Sequence, residues 1–169
     1  MHRYQFQTRW ELPAAADDAY RVLEDLAGYR DWWPQVRAAV QTGDTAADLM
    51  IRSVLPYEIH VHLEQHTRDP IRRLLIAAMT GDIEGRAGWT ITALPPRPDG
   101  GPVSRIQFDE DVVARSAFLR RMAPLARPAF IANHALMMRE GQRGLAQRLA
   151  GPNPAPDSGA GGVGGANET

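Results

Sequence analysis

The sequence predicts a single α+β domain in which a meander of about seven strands is followed by one long helix. Two observations carry this reading. Period-two alternation of apolar and polar residues recurs from the first ten residues to about Val113, whereas the stretch from Pro128 to Leu149 repeats its apolar residues at helical spacing. Composition agrees: of 169 residues, 44% are hydrophobic and 23% charged, the balance of a soluble globular chain.

In the first strand, Tyr4, Phe6, Thr8, Trp10 and Leu12 share one face, and Arg3, Gln5, Gln7, Arg9 and Glu11 share the other. Pro13 stops it. From Ala14 to Ala27, Tyr20, Leu23 and Ala27 recur at helical spacing, with Asp17 and Asp18 near the end where the helix dipole favours anions. Gly28 closes that helix, and YRDWWP (29–34) follows as a short helical turn whose two tryptophans must be buried. Val36 to Thr42 is the next strand, separated by the Gly43-Asp44 turn from one marked by Leu49, Ile51 and Leu55.

Tyr57, Ile59, Val61 and Leu63 then alternate with Glu58, His60, His62 and Glu64, a second two-sided strand. Arg72 to Thr80 is apolar on both sides, and Ala87, Trp89, Ile91 and Ala93 alternate with Gly88, Thr90 and Thr92. After the loop LPPRPDGGP (94–102), the last strand places Ile106, Phe108, Glu110 and Val112 on one face. Pro128 suits the first turn of the final helix, after a shorter turn with Leu119, Met122 and Leu125. From there to Leu149 the helix is ~33 Å long, and Phe130, Ile131, Met137, Met138, Gly141 and Leu145 lie within about 60 degrees of His134. Residues 151–169 are rich in Gly, Pro and Ala and read as a disordered tail, which leaves residues 1–150 as the domain.

There is no cysteine, and all 19 basic residues are arginine. Disulfides, thiolate metal sites, a cysteine nucleophile and a Schiff-base lysine are thereby excluded. A formal net charge of -1 without clustered positive charge argues against nucleic acid as a partner. The longest apolar runs fall short of the ~20 residues that span a bilayer, and Met-His-Arg-Tyr-Gln begins no signal core. A cytoplasmic protein without stable membrane insertion is expected, as a monomer or homodimer. No serine sits in a Gly-x-Ser-x-Gly turn, and Gly81, Gly85 and Gly88 lack the spacing of a dinucleotide fingerprint.

The element order, together with AYRVLEDLAGYRDWWPQV (19–36), IRSVLPYEI (51–59) and RMAPLARPAFIANHALMMREGQRGL (121–145), resembles the helix-grip fold of the START-like (SRPBCC) superfamily, in particular its polyketide cyclase/dehydrase-like members. The likeness spans residues 3 to 150. It implies a curved antiparallel sheet wrapped around the C-terminal helix, two short helices after strand 1, and an apolar cavity between sheet and helix that binds hydrophobic small molecules such as lipids, isoprenoids or polyketides. It implies no cofactor. Since a fold does not fix a function, the site must be argued from its residues.

The phases above name the cavity candidates Trp10, Ile59, Val61, Trp89, Ile91, Phe108, Phe130, His134, Met137 and Met138, and Trp33 of the YRDWWP turn joins them. The same stripe also fits a filled core. Glu110 and His134 are the candidates for proton transfer in a polyketide aromatase, cyclase or dehydratase. Each has a plainer reading, Glu110 as a solvated or arginine-paired carboxylate and His134 as a hydrogen-bonded core histidine. The pattern of Leu49 and Ile51 turns Ser53 inward and Arg52 outward, which weakens Arg52 as a group that polarises a carbonyl. His60, His62, Glu64 and His66 share a strand face and form a competing metal-binding hypothesis, although Ile59, Val61 and Leu63 claim the inward side. Arg120, Arg121 and Arg127, beside Phe118, Leu119 and Met122, fit either contact with an anionic membrane or a solvated helix start.

Overall fold

The computed structural model of the chain describes residues 3–52, 58–115 and 117–151; within the last segment, the side chains of residues 117–127 and 129 are not described. The described residues form β1 (Arg3–Leu12), α1 (Ala16–Glu24), α2 (Tyr29–Trp32), β2 (Val36–Gln41), β3 (Ala46–Arg52), β4 (Glu58–Asp69), β5 (Leu74–Gly81), β6 (Ile83–Leu94), β7 (Val103–Ala114) and α3 (Ala117–Ala150). Ser53, Leu55, Tyr57 and residues 152–169, including the tail expected from composition, lie outside the described residues.

The strands make one antiparallel sheet in the order β1-β7-β6-β5-β4-β3-β2. Each neighbour in chain order pairs as a hairpin from β2 to β7, and β1 closes against β7 with Phe6 opposite Glu110 and Trp10 opposite Ile106. Register shifts between Val36 and Ala38 and between Gln65 and Thr67 bend the strands, as a bulge does, so that one face turns concave. That face carries the core, from Trp10, Ile91 and Ile106 to Leu49, Val61 and Met79. The opposite face of β1 and β7 is a polar ladder in which Gln7 donates to Asp109 and Arg9 to Gln107. This is the helix-grip architecture.

Helix α1 buries Ala16, Ala19, Tyr20 and Leu23. Two ion pairs hold its polar side to the sheet, Arg73 with Asp17 at 2.5 Å and Arg68 with Glu24 at 3.0 Å. The helix is shorter than the apolar spacing implied: it ends at Glu24, and Gly28 caps the start of α2 rather than the end of α1.

The larger departure concerns α3, which is one helix of 34 residues and does not begin at Pro128. Pro124 and Pro128 lie inside it. A proline removes one bond of the ladder but already holds the φ a helix needs, so flanking turns can carry the helix through it. The described length is ~51 Å at 1.5 Å per residue. Near its C-terminal end α3 meets α2 at closest approach: a Cβ on Gly141 would lie 2.8 Å from the Trp33 indole, and one on Gly144 would lie 1.7 Å from the Trp32 carbonyl oxygen. At Gly144 only glycine allows this docking, because the obstacle is backbone. Leu145, fully buried beside it, contributes roughly 1.5–3 kcal/mol of apolar burial.

Candidate functional site

Between the concave sheet and α3 lies a cavity of about 180 Å³. Its walls are almost wholly apolar. The sheet supplies Tyr4 and Phe6 from β1, Leu49 and Ile51 from β3, Ile59 and Leu63 from β4, Met79 from β5, Ala87 and Trp89 from β6, and Phe108 and Glu110 from β7. Helix α3 supplies Phe130, Asn133, His134, Met137 and Met138. The period of two explains the sheet contribution, and the i, i+3, i+4 spacing of Phe130, Asn133, His134, Met137 and Met138 explains the helix contribution.

One end of the cavity is closed by Tyr29, Trp33 and Trp89, whose rings pack together. Trp89 Nε1 donates to the Tyr29 hydroxyl at 3.0 Å, and that hydroxyl donates to the Leu23 carbonyl at 2.8 Å. Trp33 Nε1 donates to the Met137 carbonyl at 3.1 Å, which ties the seal to α3. Burial pushes the Tyr29 phenol well above its ordinary ionisation range.

This seal decides which candidates line the cavity. Trp33, Ile59, Trp89, Phe108, Phe130, His134, Met137 and Met138 do, as does Glu110. Three do not. Trp10 and Ile91 are each 2% exposed and belong to the packed core: Trp10 lies against Trp89, with ring centroids 5.2 Å apart, and Ile91 is in register with Ile106. Val61 has the inward phase of Ile59 and Leu63 but is itself 3% exposed opposite Leu49. Its short side chain reaches less far from the sheet than the Leu and Ile around it.

Glu110 and His134 are the only carboxylate and the only imidazole among the described lining residues. The fold brings them together: His134 Nε2 lies 3.1 Å from Glu110 Oε2, and the side chains are 15% and 9% exposed. On the sheet, Glu110 is flanked by Phe6 and Ala87 in register. Above it, the His134 ring stacks on Phe6 with centroids 3.8 Å apart and planes 9° from parallel. Tyr4 extends the stack, 6.1 Å from Phe6 and edge-on to Phe130 at the same distance. Although the imidazole and the carboxyl group are close, His134 Nε2 has no aligned hydrogen bond within the protein. Such a buried polar atom is costly unless a ligand or water meets it.

Two other polar side chains at the wall are engaged. Gln65 Nε2 donates to the Glu24 carbonyl at 3.0 Å, and Asn133 Nδ2 lies 3.3 Å from Met137 Sδ. Tyr4, Phe6, Tyr29, Gln65 and Asn133 escaped the sequence reading, although Tyr4, Phe6 and Gln65 each share the inward phase of a strand whose other members it named.

The competing metal site finds no geometry. His60 and His66 are exposed on the outer face, and His62 Nδ1 is 2.6 Å from Asp48 Oδ1 on the neighbouring strand. Among the described residues, no group of three or more His, Cys, Asp or Glu side chains converges as metal ligands would. Arg52 is exposed, facing away from the cavity. No helix among the described residues is long and apolar enough to cross a membrane.

Comparison with known proteins places this geometry in context. An aromatase/cyclase from a Streptomyces species superposes with a TM-score of 0.70 at 16% identity, over 88% of this chain and 94% of the other. A START superfamily protein from Mycobacterium smegmatis gives 0.64 at 14% identity, over 86% and 96%. Norcoclaurine synthase from Thalictrum flavum gives 0.55 at 15% identity, over 90% and 96%. At these identities the likeness is one of fold, and the three proteins differ in what they are named for. No curated protein sequence matches this chain. The family model described as polyketide cyclase / dehydrase and lipid transport matches residues 3–150, so the chain belongs to that family.

Proposed function

We propose that this protein binds a compact hydrophobic small molecule, such as a lipid, isoprenoid or polyketide, between its sheet and α3, as a carrier or sequestering protein. The observation that carries the reading is an apolar cavity with one buried polar atom, His134 Nε2, that has no aligned partner within the protein. A ligand with a single hydroxyl or carbonyl at one end satisfies that atom and fills the rest with apolar surface. About 180 Å³ is below the ~300–1,000 Å³ of ordinary small-molecule pockets, so the occupant is small or extends through the mouth. Native mass spectrometry after incubation with a panel of fatty acids, isoprenoids and aromatic polyketides tests this. Retention of a one-to-one complex is expected, and no uptake from the whole panel rejects the reading.

A second reading is favoured by the 3.1 Å approach of Glu110 to His134. A carboxylate and an imidazole at one wall can act on a bound poly-β-ketone as a general acid–base pair. One group takes the proton from the carbon next to a carbonyl, the resulting enolate adds to a second ketone of the chain and the alkoxide so formed is protonated; elimination then takes a neighbouring C–H proton to one group while the other protonates the hydroxyl, which leaves as water. For an aromatase, cyclase or dehydratase of this kind, Glu110→Gln and His134→Ala lower turnover by roughly 100-fold or more. Equal product ratios in wild type and both variants remove the catalytic role. In either reading residues 1–150 are the binding domain and 151–169 take no part, so truncation after Ala150 leaves ligand uptake unchanged.

A further inference from the structure

From Val112 to Arg139 the chain carries five arginines and no aspartate or glutamate. Arg115 precedes α3 and is paired with Glu84, and the other four lie on the first two-thirds of α3. The inner side of this part is committed to the cavity through Phe130, His134 and Met137. Its outer side is not polar: Ile131 is 49% and Leu136 45% exposed, next to exposed Ala132, Ala135 and Arg139. A helix with apolar residues on both sides is ordinarily covered on both.

Charge decides what covers it. A second copy would bring one arginine-only stretch against another, and like charges juxtaposed across an interface are unfavourable. An anionic bilayer satisfies both features, since its headgroup phosphates pair with guanidinium groups and its acyl boundary accepts Ile131 and Leu136. Each Arg near such a surface adds to the attraction. The same part of α3 is also one wall of the cavity, so a bilayer on its outer side lies about one helix diameter, ~10–12 Å, from the ligand space.

We propose that the outer side of the first two-thirds of α3 is a docking surface for an anionic lipid bilayer, on which the helix lies flat and beside which the cavity exchanges its occupant. The exchange rests on the ligand-binding reading above; the docking does not.

Sedimentation with phosphatidylcholine vesicles, with and without phosphatidylglycerol, tests the docking on the full chain without added ligand. Retention is expected only on the phosphatidylglycerol vesicles, falling roughly tenfold or more as salt rises from about 0.1 M to about 1 M. The double variant Ile131→Glu/Leu136→Glu, and separately Arg139→Glu, reduce retention, while circular dichroism shows unchanged helicity. Equal retention on both vesicle types, no retention, or variants that bind like wild type overturn the proposal. So does a wild-type dimer in light scattering that Leu136→Glu dissociates, which assigns the face to a second copy. Ligand uptake measured on the same variants in lipid-free solution separates the two ideas: it stays at the wild-type level if only docking is lost, and is absent in wild type too if the cavity binds nothing.

Discussion

Tyr29 shows how one side chain can hold two parts of the molecule. Its hydroxyl links the α1 backbone at Leu23 to the Trp89 indole and is wholly enclosed. Tyr29→Phe leaves both partners unpaired in the core and should cost about 2–3 kcal/mol in urea unfolding. It also has a pH signature. Because burial holds the folded phenol above its ordinary value of 10.0, its contribution is complete below pH 10. As pH climbs further, the unfolded chain ionises first, and stability falls by about 1.4 kcal/mol per pH unit for this group. Urea midpoints measured across that range should show a shallower loss in Tyr29→Phe than in wild type. A residual slope remains from Tyr20, pushed up to about 12 mainly by burial and next by the Glu24 carboxylate. An identical slope in both proteins contradicts the enclosure of Tyr29.

At the scale of elements, the period of two assigned faces but not depth. Phe6 and Trp10 have the same phase on β1, yet Phe6 lines the cavity and Trp10 is packed core, because the Tyr29–Trp33–Trp89 seal falls between them. Alternation records which way a side chain points and nothing about what crosses above it. The seven strands, the two short helices and the inward phase of Glu110 were legible for the same reason, being local patterns. The meeting of Glu110 with His134 was not, since it depends on how far α3 is shifted along the sheet. That shift is set by Gly141 and Gly144. Gly144→Ala forces a methyl into the Trp32 carbonyl and should destabilise the fold by at least about 1–3 kcal/mol. Gly141→Ala meets an indole that can move, so it should displace Trp33 toward the cavity and weaken ligand uptake more than it lowers Tm. Thermal melts paired with uptake measurements distinguish the two variants.

For the whole molecule, surface charge and interior respond to pH at opposite ends. Asp111 is held down to about 2 chiefly by its hydrogen bond with Arg3, and Asp17, Glu84 and Asp99 are lowered by bonds to Arg73, to Arg115 and to the Gly101 backbone respectively. These groups stabilise the fold above the ordinary carboxylate range and lose that contribution as pH falls through it toward about 2. Asp17 and Asp99 are exposed and Glu84 and Asp111 partly so, hence the acid loss is shallow and is weakened by salt. Acid titrations of stability at low and high salt should converge as pH drops.

The glycine contact also makes α3 a beam held near both ends. The helix is clamped at Gly141 and Gly144, roughly 24 residues and ~36 Å of helix precede the clamp, and its start at Ala117 follows directly on β7, which ends at Ala114. The span between the two anchors carries Phe130, His134 and Met137, the helix wall of the cavity. Amide exchange should therefore be slowest toward Leu145, beside the glycine clamp, and faster along the span that faces the cavity.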